Sequence, residues 1–310
     1  MTESFSWRWT FWLMLILSSI NTTLCIIFLH ETYAPVLLAR KASALQKETG
    51  RPHRPAIYDT ASLLHRIYRA IQRPLRILFL QPLVFIMAVY MSLIYGTLYL
   101  LFTTFPIVFQ DVYGFSPGIT GLTYMGVGLG FLLAILFGIP QIDKQYRRLT
   151  AKNNGVPMPE FRMPVANVGA VCIPISILWF GWAVETRTYF LVPIIGKPHS
   201  SSQAIDLDAD HLVSGTVFFG IGTICIFNST QNFFIDAFTR YAASAIAAGA
   251  LFRALVGATF PLFGTSMYPA LGYGWGCTVL AAAAVLLMPM PMLIMKFGRR
   301  MRDWFPVKLD

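Results

Sequence analysis

The sequence predicts an all-α membrane protein with seven transmembrane helices, and three observations carry the prediction. Of 310 residues, 56% are apolar and only 12% charged, with a mean hydropathy of +0.60; a soluble domain is roughly 45–50% apolar and about 25% charged. Six charge-free intervals, 9–30, 77–110, 112–142, 163–184, 211–235 and 254–295, each provide the about 20 residues that a helix needs to cross a bilayer. Lys and Arg collect in alternate connections between those intervals, as the positive-inside rule requires. In lipid the backbone must satisfy its own hydrogen bonds, so the spans are helices.

The first span is expected at 9–30. Its apolar run is too long for the core of a cleavable signal peptide, and no small-residue cleavage site follows it. Residues 31–78 hold nine Lys and Arg against three acids. They read as a basic cytoplasmic linker, helical around Ser62–Gln72, ending at Arg73-Pro74 and lying against lipid headgroups. The next spans are expected at 79–105, 118–140, 164–183 and 212–235. The last interval is too long for one crossing, and Gly264 with Pro269 to Gly276 divides it into 241–263 and 274–295. These last six spans, residues 79–296, form one bundle, and 297–310 form a cytoplasmic tail. Segments 141–163 and 296–310 are rich in Lys and Arg, whereas 106–117 and 264–273 have none. The N-terminus is therefore expected outside and the C-terminus in the cytoplasm.

The same composition excludes other classes. The net charge of +10 forms no single patch, which argues against a nucleic-acid partner. Cys25, Cys172, Cys225 and Cys277 lie in apolar stretches without a CxxC pair. They read as small buried hydrophobes, with a disulfide or metal site as the alternative. No paired acids, His cluster or nucleophile constellation points to an enzyme, a catalytic residue, a metal site or a cofactor.

Several stretches, taken in order, resemble one family. Trp7 to Trp12 and Glu31 to Leu38, then Tyr95 to Thr103 and Tyr113 to Ser116, are similar to the sixth and seventh spans and adjoining loops of the major facilitator superfamily. The likeness is to its twelve-span, fungal-type drug:proton antiporters. Pro159 to Arg162, Asp236 to Phe238 with Tyr241 to Ala245, and Arg253, Gly257, Pro261 to Gly264 and Leu271 to Gly276 resemble that family's ninth to eleventh spans. The resemblance implies spans six to twelve of a multidrug efflux antiporter in the plasma membrane. Its substrates would be small amphipathic molecules, and protons its coupling ion. Because the family places substrate between two six-helix halves, this stretch alone is expected not to transport. A seven-helix receptor and a truncated product without function are the rival readings.

Candidate residues follow, each with its plainer alternative. Gly126, Gly128 and Gly130 are helix-packing glycines, with gating as the alternative, and Gly257 joins them. Tyr90, Tyr95, Tyr99 and Tyr124 are candidates for the substrate path, with helix packing as the alternative. Asn228, Gln231 and Asn232 line the path or bond neighbouring helices. Asp143 with Arg147 and Arg148 forms a charge latch or a solvated loop. Arg253, the one full charge within an otherwise apolar span, snorkels to the inner surface or serves as a gate charge paired with Asp236.

Residues 197–215 interrupt what would otherwise be one helix of about 190–235. His199, Ser200 to Ser202, Asp206, Asp208 and Asp210 do not suit a bilayer core. The segment reads as a retained intron or a genuine outer loop, disordered in this chain, with Phe190 to Gly196 as an interfacial stub.

Overall fold

The computed structural model describes residues 8–32, 34–52, 62–112, 114–186 and 204–305. All regular structure among them is helical. The chain divides into two compact units, residues 1–69 and 70–310. Among the described residues, five helical stretches are long and apolar enough to cross a membrane: Arg8–Phe28, Pro82–Asp111, Thr120–Lys152, Pro164–Thr186 and Ala242–Trp304.

In the first unit, α1 (Arg8–Phe28) has no buried residue, and α2 (Ala34–Thr49) follows it. Helix α3 (Leu63–Leu80) leads from this unit into the second. It was expected to stop at Arg73-Pro74, yet it continues through Pro74. The turn beyond that proline is anchored, because Ile77 and Leu78 are buried in the core. Gln81, extended ahead of a proline, separates it from α4 (Pro82–Ile107), whose proline occupies the first turn where no N–H is needed.

A single π turn at Val108–Val112 ends α4. The third crossing is built from α5 (Pro117–Thr123), α6 (Met125–Leu133), a second π turn at Ala134–Gly138 and α7 (Ile139–Lys152). This crossing was expected to end near residue 140. It runs twelve residues further because α7 is amphipathic and buries Ile142 while its charges face outward. Helix α8 (Pro164–Thr186) matches its expected span.

Helix α9 covers Ala204–Ala237. Residues 204–215, expected to be part of a disordered loop, are therefore helical. No proline interrupts 204–237, so the helix of α9 continues back through them. The rest of that segment, and the expected stub at 190–196, lie outside the described residues.

Helix α10 (Ala242–Leu287) contains the expected division, but as a single kink at Gly272 (φ 77°, ψ 167°), a backbone state reserved for glycine. Glu185, at the end of α8, fixes the kink: its Oε2 accepts the Gly274 N–H at 3.1 Å. The helix expected to run to residue 295 instead breaks at Met288-Pro289, and α11 (Met290–Trp304) follows.

In the second unit, α10 packs chiefly on α4 and α8, and α9 chiefly on α8 and α6. Lipid gives no hydrophobic drive to such packing, so close backbone approach has to supply it. A Cβ at Gly130 would overlap the Val217 carbonyl oxygen, and one at Gly220 would lie 2.6 Å from the Val127 oxygen. Gly169 and Gly222 make a similar reciprocal approach between α8 and α9. A large core results, with Met87, Phe105, Ile173, Phe180, Phe219, Ile226 and Phe233 fully buried, and a smaller cluster of Ala134, Ile142, Val165 and Cys225 is separate from it.

Candidate functional site

Two polar clusters stand out in this apolar bundle. The first lies at the end rich in Lys and Arg. The turn Pro159–Arg162 leads into α8, and its Arg162 donates from Nε to Asp236 Oδ2 at 2.8 Å and pairs through Nη1 with Asp143. The guanidinium also lies 4.0 Å from the centre of the Tyr146 ring. Partial burial alone would disfavour its charged form. The hydrogen bonds and negative charges of Asp236 and Asp143 outweigh that and raise its pKa. Beside it, buried Glu160 forms an ion pair with Arg302 of α11 at 2.7 Å, without the alignment of a hydrogen bond. Gly298 makes room for this carboxylate, since a Cβ there would stand 2.9 Å from Glu160 Oε1. These pairs tie α7, α9 and α11 to the turn ahead of α8.

The second cluster lies within the bundle, where α4, α9 and α10 meet. Arg253 Cζ sits 4.6 Å from the centre of the Tyr95 ring and 5.0 Å from that of Phe227. The Tyr95 and Tyr99 hydroxyls are 3.1 Å apart, and their rings are in contact at 4.7 Å. Gly257, one turn beyond Arg253, lets Tyr95 lie against α10: a Cβ there would be 2.8 Å from its ring. Arg253 Nε is buried without a hydrogen-bond partner, and no described carboxylate pairs with this side chain.

The expected residues divide between these places and the core. Asp143 and Asp236 both belong to the charged end, but their partner is Arg162. Arg147 and Arg148 are exposed on α7 and form no latch with Asp143, because the guanidinium of Arg162 occupies it. Arg253 does not pair with Asp236 for the same reason. For snorkelling, its distance from the helix end is long: α10 starts eleven residues earlier, about 16 Å along the helix.

Tyr95 and Tyr99 belong to the second cluster. Tyr90 is fully buried in the core, and Tyr124 packs on Phe102 and Phe105 while donating to the Phe102 carbonyl at 2.8 Å. Asn228, Gln231 and Asn232 are half-buried. The Asn228 and Asn232 amides donate along their own helix, to Ile224 and Asn228 carbonyls. Gly126 is buried and Gly130 is a close contact, but a Cβ at Gly128 would meet nothing within 4 Å.

Several residues of these clusters were not among the sequence candidates: Arg162, Glu160, Arg302 and Tyr146 at the charged end, and Phe227 beside Arg253. Arg162 had one usable signal, a basic residue directly ahead of an apolar span. Phe227 had none beyond its place next to Asn228.

Comparison with known proteins completes the picture. The sequence matches the family model of the Major Facilitator Superfamily over residues 1–261. It is 39% identical over 304 residues to the MFS-type transporter atr4 of Stereocaulon alpinum, covering 97% of this chain and 51% of that protein. It is 38% identical over 303 residues to the MFS-type transporter penM of Penicillium rubens, covering 97% and 56%. Against the efflux pump FUB11 of Gibberella moniliformis the identity is 38% over 304 residues, covering 97% and 48%. The chain thus spans about half the length of the curated relatives it matches. No solved structure matches it. An all-helical bundle with apolar crossings, basic connections and this family match across most of its length gives one assignment: the chain belongs to the major facilitator superfamily.

Proposed function

We propose that this chain forms the second wall of a proton-coupled exporter of small amphipathic molecules. The observation that carries this reading is the cluster of Tyr95, Tyr99, Phe227 and Arg253, contributed by three helices inside an apolar bundle. Half-buried Asn228 and Gln231 follow on α9. Aromatic walls with a few polar handles suit amphipathic ligands, and the presence of an efflux pump among the relatives supports that direction. In this reading seven spans cross the plasma membrane, with the N-terminus outside. The path lies between this bundle and a second one, and protons drive export. The ion pairs around Arg162 and Glu160 hold the helix ends together on the cytoplasmic side while the two bundles rock.

Reconstitution tests the reading. Vesicles holding this chain together with the corresponding first bundle of a relative should show proton-gradient-dependent movement of a fluorescent amphipathic dye, and vesicles holding this chain alone should not. Robust transport by this chain alone would overturn the shared-path reading. Movement unaffected by collapsing the gradient would overturn proton coupling.

A further inference from the structure

Arg253 is a charge set against two aromatic faces, with no counter-ion among the described residues. A guanidinium within a span is expensive to keep, and proteins normally pair or hydrate it. The carboxylates of the charged end are engaged elsewhere: Asp236 and Asp143 with Arg162, and Glu160 with Arg302. Cation–π contact with Tyr95 and Phe227 stabilises the charge only in part. The Arg253 Nε lies against protein and is unbonded. No described hydrogen bond or ion pair consumes its outer N–H groups. A planar N–H fork held in this way matches the two oxygens of a carboxylate. Exposed Tyr99 (42%) and half-buried Tyr95 and Phe227 provide aromatic surface beside it.

We propose that Arg253 is the anion-recognising residue of the substrate path, and that the molecules carried there are amphipathic acids: an aromatic or apolar body bearing a carboxylate. This rests on the path reading given above and deepens it. An oxyanion on an apolar body also describes an acidic lipid headgroup, so the test separates the two sources.

The full chain is placed in phosphatidylcholine nanodiscs, and binding of naphthoate and of its neutral counterpart naphthamide is measured by fluorescence titration, with empty nanodiscs as the blank. Naphthoate should bind about tenfold or more tightly than naphthamide, the scale of a charge-assisted hydrogen bond. R253Q should remove that preference, bringing naphthoate down to the level of naphthamide in the same variant, whereas R253K should keep part of it. Circular dichroism and elution volume confirm that both variants are folded. Equal binding of the two probes, unchanged in R253Q, overturns anion recognition while leaving the path reading in place. Absence of binding by either probe overturns both. Displacement of naphthoate by added phosphatidylglycerol shows that the site holds a headgroup, and overturns the substrate assignment.

Discussion

Helix α1 and the stretch Pro82–Asp111 have the same mean hydropathy, 2.0, yet the most apolar window of the first is 0% buried within the structure and that of the second 67%. Apolar content is therefore enough to send a helix across a bilayer and says little about what it packs against. The difference lies in the small residues. Within α4, Ala88 and Gly96 are buried, and Gly257 and Gly264 of α10 abut its Tyr95 and Leu100. Helix α1, by contrast, has no glycine or alanine. Its small residues are hydroxylated, among them Ser18, Ser19, Thr22 and Thr23, and the Thr23 hydroxyl is turned back on the Ser19 carbonyl at 2.8 Å.

If backbone approach is what distinguishes the packed helices, removing one approach should have the largest effect of any single change. Gly130→Val forces a branched side chain into the Val217 carbonyl and the Gly220 backbone, neither of which is a flexible side-chain end. The expected result is a loss of about 3 kcal/mol or more, read as a fall in monodisperse protein and in thermal midpoint in detergent. Gly128→Val, two residues away with open space around it, should change neither by a comparable amount. Equal damage from both would mean that glycine serves flexibility here instead of contact.

The charged end sharpens the same contrast by a different force. Arg162→Gln leaves Asp236 and Asp143 facing each other without the cation between them. Loss of hydrogen bonds to charged groups gives about 1–3 kcal/mol, and the exposure of Asp143 (63%) places the effect toward the lower end. High salt should shrink the difference between wild type and variant in a thermal melt. A salt-independent loss would assign the role of Arg162 to packing on Tyr146.

These contrasts explain what sequence alone conveys. The apolar runs and the kink region 264–276 were legible, because crossing a bilayer depends on local composition and only glycine tolerates the backbone of Gly272. The roles of individual tyrosines were not. Tyr90 and Tyr95 sit five residues apart on α4, so they are turned about 140° from each other: one enters the core and the other meets Arg253. Tyr99, four residues beyond Tyr95, returns to the same face. The direction of that face depends on how α4 sits against α9 and α10, which no local pattern encodes. Arg162 pairing with Asp236 across 74 residues has the same origin. Arg147 and Arg148, about one turn from Asp143 on α7, were the wrong partners because the chain turns between α7 and α8.

The smallest expected effect returns to the opening pair. Met87 on α4 is fully buried and Leu17 on α1 is 58% exposed. Met87→Ala should lose about 1–3 kcal/mol, since lipid tails are as apolar as the residue removed and mainly the cavity remains to be felt. Leu17→Ala leaves no cavity within this structure and should stay within about 0.5 kcal/mol. The measurement is a pair of thermal melts in detergent, first on this chain and then with the first bundle of a relative added. A helix whose small positions are Ser and Thr is suited to hydrogen-bonded contact with other helices in lipid. If α1 packs in that second bundle, Leu17→Ala becomes as harmful as Met87→Ala once the bundle is present. If its effect stays near zero in both preparations, α1 is a lipid-facing helix, and its exposure here is its functional state.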